Sequence, residues 1–316
     1  MSATVHPLPH GSTRWDVVGI GASCIDDIYR LPVFPQAGSS LSKIPVGSHT
    51  VGCGGQTATT LATCSRLGLR AKYAGVVGHD DRGRLVRAEL DRRGVDTSDL
   101  AVREGETPSA VILVDDTGDR LVLWHRDDQL SLPPDSLPLV AISAARLVHV
   151  DDVDEPAAIA AAGLAHDAGV PVTCDIDRVT RRTTELLELV TVPILAAHVP
   201  LQLTGEPDHE RALRALRQRH PGLFCVTLGT EGAMALDGDT LLRAPAFSVD
   251  VVDTTGAGDV FRGGLIYALL RSVATGDALL FANAAAAVSC TRLGAMAGAP
   301  SLEEVNRVLA TGRPRV

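Results

Sequence analysis

Residues 250–270 read DVVDTTGAGDVFRGGLIYALL, and the fold is decided by what this stretch can do. Val251 and Val252 end an apolar run. A turn of small and polar residues follows, Asp253-Thr254-Thr255-Gly256-Ala257-Gly258-Asp259, and then a long apolar helix. Small residues at 256–258 let backbone N–H groups approach a ligand with no side chain in the way. They stand where a helix begins, with amides that lack intrahelical partners and a dipole that favours an anion. Asp259 falls in the first turn, where a carboxylate can simply cap the helix. Two threonines, three small residues and a second acid are more than a cap requires. A carboxylate beside an anion hole suits proton abstraction from an alcohol attacking a phosphoryl group. On the residues alone, phosphate chemistry and a structural turn both remain open.

The rest of the chain alternates in the same way. Residues 16–20, 72–77, 147–150, 170–174 and 224–228 are short, rich in β-branched residues and free of polar alternation, as strands buried on both faces are. Residues 57–67, 83–93, 156–168 and 209–219 space their apolar side chains three and four apart, as helices do. Alternating strands and helices predict an α/β fold, a doubly wound and mostly parallel sheet with helices on both faces. Two segments break the rhythm. Residues 39–52 are polar and β-leaning, and residues 109–125 form a hairpin about the turn DDTGD at 115–119. A lone pair of strands is marginal in water, so the two segments are expected to join as a small lid sheet over one domain spanning 15–316. Residues 126–138 then lead back to the core, and residues 1–14 read as a disordered tail without the apolar segment of a signal peptide.

Composition narrows the class. The 316 residues are 45% hydrophobic and 21% charged, with a formal net charge of −9, which is ordinary globular composition. Lys and Arg are scattered rather than striped, which argues against a nucleic-acid partner. Gly263, Gly264 and Asn283 interrupt the most apolar stretches, so no membrane span is expected and a cytoplasmic location is. Six single cysteines form no CxxC pair and read as reduced thiols. His125, His149, His166 and His198 have no metal-ligand spacing.

The motif DTTGAGDVF resembles the C-terminal signature of the ribokinase-like (PfkB) carbohydrate kinases, and it does not stand alone. Gly54-Gly55 in VGCGGQTATTLATCSRLG resembles that family's N-terminal Gly-Gly motif. VVGIGASCID at 17–26 resembles its first strand with a substrate-binding Asp, and GVVGHDDRG at 75–83 its G-x-V-G-x-D-x-x-G segment. TLGTEG at 227–232 and NAAAAVSCTRLGA at 283–295 resemble the elements closing the nucleotide site. Six blocks run in the family's order over nearly the whole chain.

The resemblance implies roles. Asp259 would be the base, and the amides of Gly256, Ala257 and Gly258 the anion hole. Asp26, Gly54, Gly55 and Thr59 would meet the sugar, with Asp27 an alternative to Asp26. Thr227, Gly229, Gly232, Thr254 and Asn283 would meet ATP. Mg²⁺ would arrive with the nucleotide, and a monovalent cation such as K⁺ would sit near Asp253 and Thr255. The implied activity is transfer of the γ-phosphoryl group of ATP to a primary hydroxyl of a ketohexose- or pentose-like sugar. A homodimer through the open edges of the lid is expected.

Three departures from the family's pattern bear on the acceptor and, for the missing N-x-x-E motif, on phosphate and Mg²⁺. Thr59 stands where the family has Asn, and Thr lacks the amide's paired donor and acceptor. Ala196 and Val199 occupy the places of an N-x-x-E motif. The end of the chain is closest to the sulfosugar kinase branch, yet Ser39 replaces the lysine expected near Gly38. A nucleoside kinase of the same fold is the nearest competitor, although two Trp, three Tyr and five Phe offer few stacking surfaces. A non-catalytic regulator built on the same fold is a further alternative. Gly19-x-Gly21-x-x-Cys24 resembles a dinucleotide turn only superficially, because Cys fills the third position. Trp124, at the end of the hairpin, could cover the substrate or pack the lid, and packing is the favoured expectation.

Overall fold

A computed structural model describes residues 14–315; the expected tail, Arg14 apart, lies outside the described residues. Thirteen strands build two sheets. In chain order they are β1 (Trp15–Ile20), β2 (Cys24–Arg30), β3 (Ser48–Gly54), β4 (Ala71–Gly78), β5 (Asp96–Arg103), β6 (Ser109–Val114), β7 (Arg120–His125), β8 (Ala145–Asp151), β9 (Val172–Ile176), β10 (Val192–Ala196), β11 (Phe224–Thr227), β12 (Ala233–Asp237) and β13 (Thr240–Ala244). The helices are α1 (Gln56–Arg66), α2 (Asp81–Arg92), α3 (Leu139–Ser143), α4 (Glu155–Asp167), α5 (Thr183–Leu189), α6 (Val199–Thr204), α7 (His209–Arg217), α8 (Ala257–Leu270), α9 (Thr275–Ser289) and α10 (Leu302–Thr311).

Nine strands form the main sheet in the order β13-β12-β11-β10-β9-β8-β1-β4-β5. It is parallel from β5 to β11 and antiparallel only at the β11-β12-β13 edge. The apolar runs are continuous because both faces are covered. Val18, Ile20, Val148 and Val150 pack with α4, while Val17 and Leu147 pack with Leu61 of α1 and Ile266 of α8. Adjacent residues of one strand thus enter opposite helical layers, as the pleat demands. Local chemistry sets several helix starts. Asp80 caps α2 by accepting from Gly83 N at 2.7 Å, and Ser301 with Glu304 forms a capping box at α10.

The small sheet has four strands in the order β3-β2-β6-β7. The expected hairpin is present, and Gly118 takes φ 86° in its turn. The expected 39–52 segment is corrected in part: 40–42 is a single helical turn and the strand runs through Ser48–Gly54. The central strand of this sheet was not legible. VVGIGASCID is two strands: β1 ends at Ile20, and Asp26 lies on β2, in the small sheet. Register then sorts β2. Asp26, Ala110 and Trp124 stand in one row, and Asp27, Val111 and Leu123 in the next, on the opposite face.

Candidate active site

The C-terminal ends of the parallel strands are where an open α/β sheet places ligands. Here β1, β8, β9, β10 and β11 all end at one cavity of about 750 Å³. The Asp26 face of the small sheet roofs it, through Asp26, Ala110, Ile112, Val122 and Trp124, and the 254–259 turn forms one wall. Two contacts tie roof to wall. Arg30 Nη2 donates to Val252 O at 2.7 Å, and Arg120 Nη1 reaches Thr254 Oγ1 at 3.5 Å.

Gly256 caps α8 with φ 75°, a conformation that favours glycine, and a Cβ there would stand 2.6 Å from Ala295 Cβ. Ala257 N donates to Thr254 O at 3.2 Å and closes the turn. The amides of Gly258 and Asp259 follow in the first helical turn, where no intrahelical acceptor exists. Asp253 braces the turn from below. Its Oδ1 accepts from Thr255 N at 2.9 Å and Thr255 Oγ1 at 2.7 Å, while Oδ2 accepts from Gly294 N at 2.8 Å.

Asp259 lines the cavity with 15% of its side chain exposed. Burial pushes its carboxyl up to about 7; Arg262 opposes that rise, and the carboxylates of Asp151 and Asp26 add to it. Asp26 is buried on the roof, and burial pushes it up to about 6. Its one donor is the Cys24 thiol at 3.2 Å. A weak donor on a buried carboxylate leaves lone pairs for a ligand's hydroxyls. A Cβ on Gly54 would overlap that carboxylate, which accounts for the glycine.

Nine of the residues singled out in the sequence line the cavity: Asp26, Gly55, Thr227, Thr254, Thr255, Gly256, Ala257, Gly258 and Asp259. Others lie behind it. Asp27 faces the opposite side of the small sheet, accepting from Arg82 Nη2 at 2.9 Å and pairing with His49 Nε2 at 3.1 Å. Thr59 is fully buried in α1. Gly229 and Gly232 shape the turn after β11, with φ 58° and 93°. Asn283 donates to Ala244 O and Pro245 O at 2.9 and 3.0 Å, tying α9 to the end of β13. Trp124, expected to pack the lid, is 69% exposed and lines the cavity instead.

Sequence reasoning overlooked the acids at the strand ends. Asp151 Oδ2 accepts from Ala22 N at 2.7 Å, Thr57 Oγ1 at 2.7 Å and Thr57 N at 3.2 Å, joining β8 to the start of α1. Asp152 lines the cavity, its Oδ2 accepting from Asp177 N at 2.8 Å and Arg178 N at 2.6 Å. Asp175 and Arg262 also line it. The available signal was an acid after each apolar run, at 151–152 and 175–177, where a parallel sheet puts its ligands.

Among the described residues, no helix is long and apolar enough to cross a membrane. Residues 18–302 match the pfkB family carbohydrate kinases. An ATP-dependent ribose-1-phosphate kinase of Halopiger xanaduensis is 31% identical over 309 residues, covering 97% of this chain and 98% of its own. An aminoimidazole riboside kinase of Salmonella typhimurium is 30% identical, over 82% of this chain and 88% of its own. The crystal structure of a putative ribokinase from Agrobacterium tumefaciens superposes with a TM-score of 0.87 at 26% identity, covering 94% and 97% of the two chains. The family match spans most of the chain, and the chain belongs to the pfkB carbohydrate kinase family of phosphotransferases.

Proposed function

We propose that this kinase transfers the γ-phosphoryl group of ATP to a primary hydroxyl of a small ketohexose- or pentose-like sugar. One observation carries the reading: Asp259, at the first turn of α8, opens into the same cavity as the buried carboxylate of Asp26. Asp26 and Gly55 hold the sugar, with Gly54 leaving room for Asp26. Asp259 takes the proton of the attacking hydroxyl, and the amides of Gly256, Gly258 and Asp259 stabilise charge on the transferring group. Ala257, whose amide closes the turn, keeps that loop in shape. Thr227 and Thr254 face the nucleotide, while Gly229, Gly232 and Asn283 shape the walls around it.

The cavity also suits Mg²⁺ brought in with the nucleotide. Asp152 supplies a buried oxygen, Oδ1, that has no hydrogen-bond partner among the described residues and only a long ion pair to Arg178 Nη2 at 3.7 Å, and hard cations take oxygen donors. Bound there, the ion would neutralise charge on the β- and γ-phosphates. A monovalent cation beside Asp253 and Thr255 would stiffen the anion loop. Equal turnover in potassium and tetramethylammonium salts would discard that cation.

A screen of ADP release over pentoses, ketohexoses, keto-deoxy acids and nucleosides tests the acceptor. Turnover confined to the sugars is expected. Turnover on nucleosides alone would favour the second reading, a nucleoside kinase, to which the exposed Trp124 face lends a stacking surface. No turnover on any of them would sink the catalytic reading. The pH profile provides a second check. A base works deprotonated, so the rate is full above the carboxyl's pKa and falls about tenfold per unit below it. With Asp259 near 7, the acid limb is expected close to neutrality; a limb near the ordinary carboxylate value would count against the assignment.

The outer face of the small sheet supports the homodimer. Val111, Leu121 and Leu123 are exposed there together, with Val51 on the far side of Asp27. A partner covering this row would also cover the β3 and β7 edges. Light scattering is expected to return twice the chain mass, and Leu123→Glu to halve it. A monomer at working concentration would refute the dimer.

A further inference from the structure

Arg262 lies one turn past Asp259 on α8, and its charge is buried. Its side chain is 6% exposed and pairs with Asp175 at the end of β9, which is 1% exposed. Buried ion pairs are poor stabilisers, since apolar side chains of similar volume hold a core at least as well. This one is also incompletely partnered: Arg262 Nε and Asp175 Oδ2 have no hydrogen-bond partner. Neighbouring His149 adds no second positive charge, because burial and that same guanidinium push it down to about 3 and keep it neutral.

The other end of the guanidinium explains its retention. Nη1 stands 3.8 Å from Asp259 Oδ1, and 2.5 Å from where a Cβ on Gly258 would be. Glycine at 258 therefore leaves room for the guanidinium against the anion loop. At that separation the charge attracts the Asp259 carboxylate without a hydrogen bond occupying either oxygen. A closer, bidentate contact would tie up the lone pairs that a base needs. Asp175 pulls on the far side and holds the guanidinium back. Other charges acting on Asp259 are Asp175 itself, Asp151 on β8 and Asp26 on β2, which disfavour its ionisation, and Arg120 on β7, which favours it.

We propose that Arg262, restrained by Asp175, is a positioning residue that keeps the Asp259 carboxylate charged and free to accept the acceptor's proton. The proposal rests on the reading of Asp259 as the base, and the variants separate the two. Arg262→Met paired with Asp175→Asn removes both members of the buried pair together. Its acid limb in kcat should move up by about one unit, low in the range for losing an adjacent arginine because the opposing Asp175 charge goes with it, with KM values for ATP and sugar unchanged. Asp175→Asn alone frees the guanidinium to close on Asp259, so its limb should move down while turnover falls at every pH. Arg262→Lys should return part of the upward shift.

An unmoved limb in the double variant, with Asp259→Asn inactive, would make Arg262 merely structural and overturn the proposal. If the double variant gives no cooperative melt, an unmoved limb in Asp175→Asn has the same force. Full activity in Asp259→Asn would instead overturn the base reading beneath it.

Discussion

Asp259→Asn is expected to lower kcat by about 10²–10⁴-fold, the usual contribution of a general base, while raising the thermal midpoint at pH 8. The two effects share a cause. Burial pushes the carboxyl up to about 7, so the folded protein holds a proton there that the unfolded chain releases near the ordinary carboxylate value. Stability from this group is therefore present at low pH and lost as pH rises through the folded pKa. At pH 8 the ionised side chain is a net liability, and a neutral amide of the same shape removes it. KM for ATP should change little, because the loop amides remain. Circular dichroism melts with single-turnover rates check both halves; a variant less stable and still active would contradict both.

Gly256→Ala is expected to cost about 10²–10³-fold in kcat, the scale of one lost oxyanion donor, and to lower the midpoint. At φ 75° any side chain is strained, by roughly 1–2 kcal/mol. The added methyl would also stand 2.6 Å from Ala295 Cβ and 2.8 Å from its Cα, inside contact distance. Neither neighbour is a flexible tip that can swing away. The turn must shift, and its amides shift with it. Measured kcat, ATP KM and a thermal melt together test this; an unperturbed kcat would mean that the turn's amides do not serve the transferring group.

Both outcomes concern the part of the site that is legible in the residues themselves. An anion loop at a helix N-terminus is a local object. Its glycines, threonines and first-turn acid are contiguous, so 250–270 is sufficient to locate it. The buried strands are equally plain, since β4 has eight consecutive buried residues. The register of β9 is less so: 170–174 was expected, and Val172–Ile176 is the strand. Val170 and Pro171 lead into it rather than pair within it.

Other elements were hidden for physical reasons. β2, with its Asp-Asp pair in mid-strand, lacks the apolar signature, because its buried apolar residues are split between two clusters, Ile25 in the main core and Ile28 with Ala110, Ile112 and Val114. Asp26 and Asp27 are neighbours in sequence and similar in chemistry. Only the pairing of Asp26 with Ala110 and Trp124 turns one into the cavity and leaves the other to Arg82. Arg262 sits in an apolar helix where a charge would ordinarily mark the solvent side, and its inward course depends on Asp175, 87 positions earlier in the numbering.

By itself the chain's order of residues determined the alternating α/β architecture, the anion loop and the glycines that let it form. These depend on interactions within a few positions, which propensity, capping and periodicity record directly. Tertiary structure alone decided which acids face the cavity, where the roof's central strand lies and how a buried arginine meets the proposed base. Those outcomes arise where distant strand ends converge on one sheet edge, and there burial sets the carboxyls' ionisation.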